Sequence, residues 1–379
     1  MRAVVASDKF KGTLTSAEVA DAVGTGVRRA CPDATVVAVP VADGGDGTLA
    51  AAVAAGYTLV PVVASGPTGE QVHSGYARQD NTAVVELADV SGLVRLPDGI
   101  PAPLTATSYG TGELIAAAVD AGCTRIILGI GGSASTDGGA GLIAALADLG
   151  TPAGVWEQAI ACSETPALVA ARLQGARLVV ACDVDNPLTG PWGAAAVYGP
   201  QKGATPEQVV ELDARLGRWA DAVADWTGAD LRDTSGAGAA GGVGFAALAL
   251  LGAELRPGID LVLELVRFRE QLAGADLVVT GEGALDEQTL HGKAVAGVAA
   301  AAGRLGRDGA GIPVVAVCGV NRLEPDKLQE IGVSAAYALT DLEPDVSRCI
   351  AEPRPLLEQL GERIAVDHLT MARREKGIA

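Results

Sequence analysis

Four of the six lysines in this chain, Lys9, Lys11, Lys202 and Lys293, stand in loop segments crowded with glycine or aspartate, although arginine, with 22 copies, is its common cation. A lysine ammonium is a compact point charge suited to phosphate, so these loops are expected to face an anion. Acids accompany them. Asp8 lies beside Lys9 and Lys11, Asp43 and Asp46 share the segment ADGGDGT, Asp183, Asp185 and Asn186 form DVDN, and Glu282 and Asp286 precede Lys293 in GEGALDEQTLHGK. Phosphoryl transfer requires a metal, cations that offset charge on the moving group, and a carboxylate that receives or orients the attacking hydroxyl's proton. The loops hold candidates for all three. Asp-x-Asp-Asn after a strand offers Mg²⁺ the hard oxygen ligands it takes, while the same residues also read as turn formers ahead of Pro187.

These loops need elements to hold them. Residues 2–7 form a short apolar run, followed by a loop and a helix from Ala17 to about Ala30 capped by Thr15 or Ser16, with Glu18 in its first turn. Residues 35–41 read as a second strand, leading through ADGGDGT into a helix over 49–55. Strand, helix, strand, helix predicts parallel pairing, with ligand loops at the carboxyl ends of the strands. From Tyr57 the texture changes to short runs at 60–64, 72–76 and 82–87, separated by SGPTGE and RQDN, which predict antiparallel hairpins. A strand at 125–128 and a helix at 142–146 enclose GIGGSASTDGGAG (129–141). Its glycines let backbone approach a ligand, and the following helix's N–H groups suit an anion; the alternative is a tight turn in which Ser133, Ser135, Thr136 or Asp137 only caps that helix. Residues 151–176 carry little signal beyond helix compatibility. A strand at 177–181 runs into DVDN, an amphipathic helix spans about 206–226 with Leu212, Leu216, Trp219 and Val223 as core, and SGAGAAGGVG opens another helix through Leu251. The last third alternates again, with strands at 276–280, 313–318 and 335–339 and a terminal helix after Asp345.

Composition excludes several classes. A net charge of −18 argues against nucleic acid or an anionic membrane as partner. Asp8, Lys9 and Lys11 interrupt the first apolar run, so no secretory signal is read, and no apolar stretch approaches the roughly 20 residues that span a bilayer. A cytoplasmic location is expected. The six cysteines show no paired spacing and the three histidines are scattered, which leaves any metal to oxygen ligands. His291-Gly292-Lys293-Ala294 lacks the hydroxyl and glycine spacing of a P-loop. Gly129-Ile130-Gly131-Gly132-Ser133-Ala134 matches G-x-G-x-x-A, but no acid ends a second strand about 20 residues on, as dinucleotide binding requires. There is no G-x-S-x-G elbow.

The segments SDKFKGTLTSAE, VPVADGGDGT, TSYGTGELI, GIGGSASTDGGAG, CDVDNPLTGPWGA, GPQKGA, GAGAAGGVGF, LGAELRPGIDLVLE and TGEGALDEQTLHGKAVAGVA, in that order, closely resemble the bacterial type I glycerate kinase family. The resemblance implies an ATP- and Mg²⁺-dependent kinase that converts D-glycerate to phosphoglycerate, 2-phosphoglycerate being expected ahead of 3-phosphoglycerate, in a cleft between two domains. A kinase for another small hydroxy acid and a non-catalytic metabolite-binding regulator are the alternatives. It also implies an α/β fold of two domains: a flavodoxin-like parallel-sheet domain from both chain ends (1–57 and 271–379) and an inserted mixed α/β, restriction-endonuclease-like domain (58–270), as a monomer or homodimer. Expected catalytic residues are Asp8, Lys11, Asp43, Asp183, Lys202 and Lys293. Asp8 or Asp43 would accept the proton, the three lysines would neutralise phosphate or the glycerate carboxylate, and Asp183 with Asp185 would hold Mg²⁺. Ser108, Gly110, Thr111, Gly131, Gly132 and Ser133 are expected at the substrate, and Gly44, Gly45, Gly281, Glu282, Gly283 and Asp286 at the nucleotide. The chain departs from the family's A-P-D-S-F-K-G in having Ser7 for proline and Lys9 for serine. Ala284 replaces the arginine of T-G-E-G-R-L-D.

Overall fold

In the computed structural model, which describes residues 1–150, 152, 154–290, 293–304 and 311–370, the strands in chain order are β1 (Arg2–Ser7), β2 (Thr35–Ala38), β3 (Thr58–Ser65), β4 (Gln71–Gln79), β5 (Thr82–Glu86), β6 (Arg125–Gly129), β7 (Arg177–Ala181), β8 (Glu254–Arg256), β9 (Leu277–Leu285), β10 (Val314–Asn321) and β11 (Ala335–Ala338). The second strand stops at Ala38, short of the expected Val41. The Val39 N–H still donates to the Val5 carbonyl at 2.8 Å, and Pro40, which has no N–H to pair, comes next. β8, unforeseen in the sequence, is only three residues long. His291 and Gly292 of the expected lysine loop, and the chain beyond Thr370, lie outside the described residues.

The chain packs into two compact units, one of Met1–Asp43, Ala50–Ala55 and Ile259–Ala379, the other of Gly44–Leu49 and Gly56–Gly258. In the first unit, five parallel strands lie in the order β11-β10-β9-β1-β2. Numbered along the chain this is 2-1-3-4-5 read from β2, the flavodoxin-like order, whose switch point lies between β1 and β9. Side-chain alternation sorts the strands' residues onto two faces. Val4, Ala6, Val278, Val314 and Ala316 enter one core with the helices Gly258–Leu265 and Ala294–Gly303, while Ala3, Val5, Leu277, Val279 and Val315 enter another with Ser16–Ala30 and Pro353–Ile364. Ser16–Ala30 begins with the capping box that Thr15 and Glu18 foretell: the Thr15 Oγ1 accepts the Glu18 N–H at 3.3 Å and the Glu18 carboxylate accepts the Thr15 N–H at 2.8 Å.

In the second unit the sheet order is β3-β4-β5-β6-β7-β8, antiparallel through β5 and parallel from β5 to β8. The hairpins expected between residues 58 and 87 are present. Helices cover the parallel part, and Ala83, Val85, Ile126, Leu128, Leu178 and Val180 form one core with them. The amphipathic helix spans Pro206–Thr227 and buries Leu212, Leu216, Trp219 and Val223, as its spacing predicts. The weakly patterned region holds the short helices Val155–Ala161 and Thr165–Leu173. No helix among the described residues is long and apolar enough to cross a membrane.

The helices Ser16–Ala30 and Pro353–Ile364 meet through glycine. A Cβ on Gly26 would stand 1.9 Å from the Glu358 carbonyl oxygen, and one on Gly361 would stand 2.3 Å from that of Val23. Gly26→Ala should therefore destabilise the first unit by roughly 1–3 kcal/mol despite its gain in helix propensity, because two backbones must separate. A thermal midpoint equal to or above wild type would refute that contact.

Candidate functional site

The stretch 129–141 leaves β6 and enters the helix Ala140–Leu146, and Asp137 organises it. The Asp137 carboxylate, 1% exposed, accepts the N–H groups of Ser108 (2.8 Å), Gly139 (3.1 Å) and Gly141 (3.2 Å) and the hydroxyls of Ser108 (2.8 Å) and Thr107 (3.2 Å). The Ser108 Oγ in turn accepts the Leu142 N–H at 3.0 Å. The donors that the helix start would show an anion are thus taken inside the protein. The aspartate satisfies the helix start from inside.

Other residues expected at the substrate are equally engaged. Thr111 is buried and its Oγ1 donates to the Ser91 Oγ at 3.0 Å, while a Cβ on Gly110 would lie 1.9 Å from the Ser65 carbonyl oxygen. Gly131 faces Gly45, where an added Cβ would come within 2.7 Å of the Gly45 Cα, and a Cβ on Gly44 would come within 2.5 Å of the Gly258 Cα. Gly132 is exposed. The third glycine cluster folds onto the same stretch: the Gly138 N–H donates to the Gly241 carbonyl at 2.9 Å, and a Cβ on Gly241 would lie 2.1 Å from the Ser135 carbonyl oxygen.

Lys202 ends beneath these turns. It closes the 3₁₀ turn Pro200–Lys202, is 3% exposed, and its Nζ donates to the Ser133 Oγ at 2.8 Å and to the Ser135 carbonyl. Burial pushes its ammonium down to about 7, with the Asp137 charge opposing. Beside it, the buried Ser135 Oγ and Thr136 Oγ1 have no hydrogen-bond partner. The sequence placed Lys202 correctly in a glycine-bearing loop but gave no sign that its head turns inward.

Glu86 went unnoticed in the sequence. It ends β5, is 5% exposed, and its carboxylate accepts the N–H groups of Gly47 (3.2 Å) and Leu49 (2.9 Å) in the ADGGDGT segment. Burial pushes its carboxyl up to about 7 against these two bonds, and the charges of Asp46 and Asp89 push the same way as burial. A lone acid closing an apolar strand was the available signal. Asp183 and Asp185, beyond β7, are exposed, and the Asp183 carboxylate accepts the Gly258 N–H at 2.8 Å. Among the described residues no three His, Cys, Asp or Glu side chains stand together as a ready metal cage. Two exposed carboxylates still fit Mg²⁺, which binds through one or two of them and keeps water and phosphate as its other ligands.

In the first unit the expected acids converge at the carboxyl ends of β1 and β9. The Asp8 N–H donates to the Gly281 carbonyl at 2.8 Å, and an Asp8 carboxylate oxygen accepts the Lys9 N–H at 2.7 Å. Burial, then the charge of Asp43, pushes the Asp8 carboxyl up to about 7; Glu282 adds to this, and Lys9 opposes it through its N–H and its charge. Glu282 is 9% exposed and accepts the Thr289 hydroxyl at 2.5 Å. Burial raises its carboxyl, opposed by that bond and by the Lys293 charge, with Asp286 and Asp43 raising it further. Lys293 lies just ahead of the helix Ala294–Gly303 and its Nζ donates to the Gln288 Oε1 at 2.9 Å. Asp286 instead shapes the turn Glu287–Leu290, accepting the Gln288 N–H at 2.9 Å. Lys11 is exposed in the loop after β1, and Gly281 and Gly283 lie within β9.

Comparison with known proteins agrees along the whole chain. The model of the Glycerate kinase family matches residues 3–369. A glycerate kinase of Bacillus subtilis (strain 168) is 43% identical over 351 residues, covering 89% of this chain and 90% of that protein. A glycerate 2-kinase of Escherichia coli (strain K12) is 40% identical over 349 residues, again covering 89% and 90%. A crystal structure assigned to glycerate kinase 2 from Salmonella typhimurium LT2 superposes with a TM-score of 0.79 at 39% identity, covering 99% of each chain.

Glu86 supplies a measurable consequence. A carboxyl whose folded affinity for the proton exceeds its unfolded one loses stabilisation as pH rises from its ordinary value of 4.5 to about 7. Gln keeps a carbonyl acceptor for Gly47 and Leu49 but carries no charge. Between pH 5 and pH 8, Glu86→Gln should gain on wild type by roughly 2–3 kcal/mol. Thermal midpoints whose difference does not change with pH would show that Glu86 is not held in that environment.

Proposed function

The chain belongs to the glycerate kinase family, and from that premise we propose that this kinase moves the γ-phosphoryl group of ATP to the C2 hydroxyl of D-glycerate, giving 2-phosphoglycerate. The choice of hydroxyl follows the relative that is named a glycerate 2-kinase. Asp8 carries the reading. A base works best when its proton affinity matches the working pH, and a carboxyl raised to about 7 at a switch point, where α/β sheets bind ligands, is placed to accept the proton of an attacking hydroxyl. Asp43 helps by raising that affinity.

The other assignments rest on the chemistry of each group. Lys293 and Lys11 offset phosphate charge, and Glu282 keeps Lys293 oriented by attraction. Lys202, with the unspent hydroxyls of Ser135 and Thr136 beside it, suits the glycerate carboxylate, which would restore the proton affinity that burial removes. Ser108 and Thr111 serve the substrate by fixing this region's backbone. Gly44, Gly45 and Gly281, expected at the nucleotide, let backbone pack closely against Gly258, Gly131 and Val317 and so fix the strand-end loops around it. Asp183 and Asp185 would hold Mg²⁺, which would supply positive charge to offset that of the phosphate groups.

Release of ADP with D-glycerate, L-glycerate, tartronate and glycerol as acceptors tests the reading. D-Glycerate should dominate, with 2-phosphoglycerate identified by ³¹P NMR. No release with any of them would end the assignment, and a 3-phosphoglycerate product would overturn the position. Because only the ionised Asp8 accepts a proton, kcat/KM should rise with pH through about 7. Asp8→Asn should lose that limb and about 10²–10⁴-fold in kcat; an unchanged pH profile would remove Asp8 from the proton transfer.

A further inference from the structure

One cavity in the first unit has no role in the account so far. It has a volume of ≈ 130 Å³ and opens among the loops that follow β1 and β11 and the last residues of β9 and β10. Its walls are largely aliphatic, including Val320, Val346 and Ile350, and no carboxylate lines it although the chain carries a net charge of −18. Lys11 is the charged residue on its wall.

Three further observations define what would fit. Val346 and Ile350, one turn apart on the helix Val346–Ala351, are 46% and 57% exposed, so apolar surface is held open to solvent on one face. Successive strand residues face opposite ways: Glu282 of β9 belongs to the acid cluster around Asp8, and its neighbour Gly283 lines the cavity. β11 pairs with β10 only from Val315 to Cys318, so no strand covers that edge of β10 at Gly319 and Val320 among the described residues. Backbone groups on such an edge can meet the donor and acceptor that a purine presents.

We propose that this cavity receives the nucleobase of the nucleoside triphosphate, with Lys11 on its wall to meet the phosphates and the Asp8 cluster on the other face of β9. The inference rests on the kinase reading above and adds a site for the base to it. An aliphatic slot, a backbone edge that no strand pairs and a single cation together suit a flat heteroaromatic ring that carries an anionic chain.

The two exposed side chains permit a test that spares the core. Val346→Ser combined with Ile350→Ser should raise KM for ATP about tenfold with kcat at saturating ATP within about twofold, the pattern of lost uniform binding. Inhibition by tripolyphosphate, which has no base, should not change. Gly283→Ala adds a methyl whose nearest neighbours are the Lys11 N at 3.7 Å and the Phe10 Cα at 3.8 Å, so it should narrow the cavity without strain and raise KM for ATP as well. An unchanged KM for ATP in both variants overturns the nucleobase site and leaves the kinase assignment standing. Were wild type to transfer no phosphoryl group, calorimetry with ADP would still decide: weaker binding by the variants supports the cavity, and equal binding overturns it.

Discussion

The second unit depends on backbone meeting backbone where three glycine-rich turns converge. Gly131 lies against Gly45, Gly241 against Ser135 and Gly242 against Gly138, each at a separation that a single Cβ would close to under 3 Å. Such contacts leave no room for side chains to supply hydrogen bonds from between the turns, yet peptide groups buried there must be paired. Asp137 and Ser108 do this from below, and the Trp219 indole N–H adds a bond to the Gly138 carbonyl at 2.9 Å. The close approach therefore dictates a buried carboxylate.

A buried carboxylate changes what can be buried next. Lys202 is almost fully withdrawn from water, and Asp137 is the charge that favours its protonated form. Among the described residues, the main influences on Glu86 include no such opposite charge. This carboxylate is kept by two N–H groups of the ADGGDGT segment, which is why burial and its acidic neighbours prevail and its proton affinity rises. In the first unit Asp8 and Glu282 rise for the same dominant reason, desolvation, and their mutual repulsion with Asp43 adds to it. Groups balanced near neutrality cluster where proton traffic is useful, and here Asp8 and Glu86 stand at the ends of β1 and β5.

Much of this was legible in the chain. Alternation gave the parallel sheet of the first unit, the Thr15–Glu18 pair gave a helix start, and the glycine-rich segments marked turns ahead of helices. Their contacts were not legible, because residues 131 and 45, and 241 and 135, lie far apart in the chain and meet only in the fold. The same holds for Lys202, whose sequence neighbours describe a surface turn while its ammonium is fixed by Ser133, 69 positions away. Glu86 was missed for a related reason: its partners lie at 47 and 49, in a loop whose acids drew the eye instead. Composition and spacing specify which groups exist near a strand end; burial, which sets their chemistry, is a property of what packs over them.

Strand β9 joins these threads. Its pairing with β1 on one side and β10 on the other puts it at the centre of the parallel sheet, so its last residues are held by two neighbours. That rigidity matters because a one-residue shift would exchange the two faces. In register, Glu282 faces charge and Gly283 faces an aliphatic cavity. Substituting alanine for the family's arginine at position 284 leaves this alternation intact, since Ala284 stays paired with Val320 of β10. The departure removes a cation without altering the backbone that separates the acidic side of the strand from the apolar one.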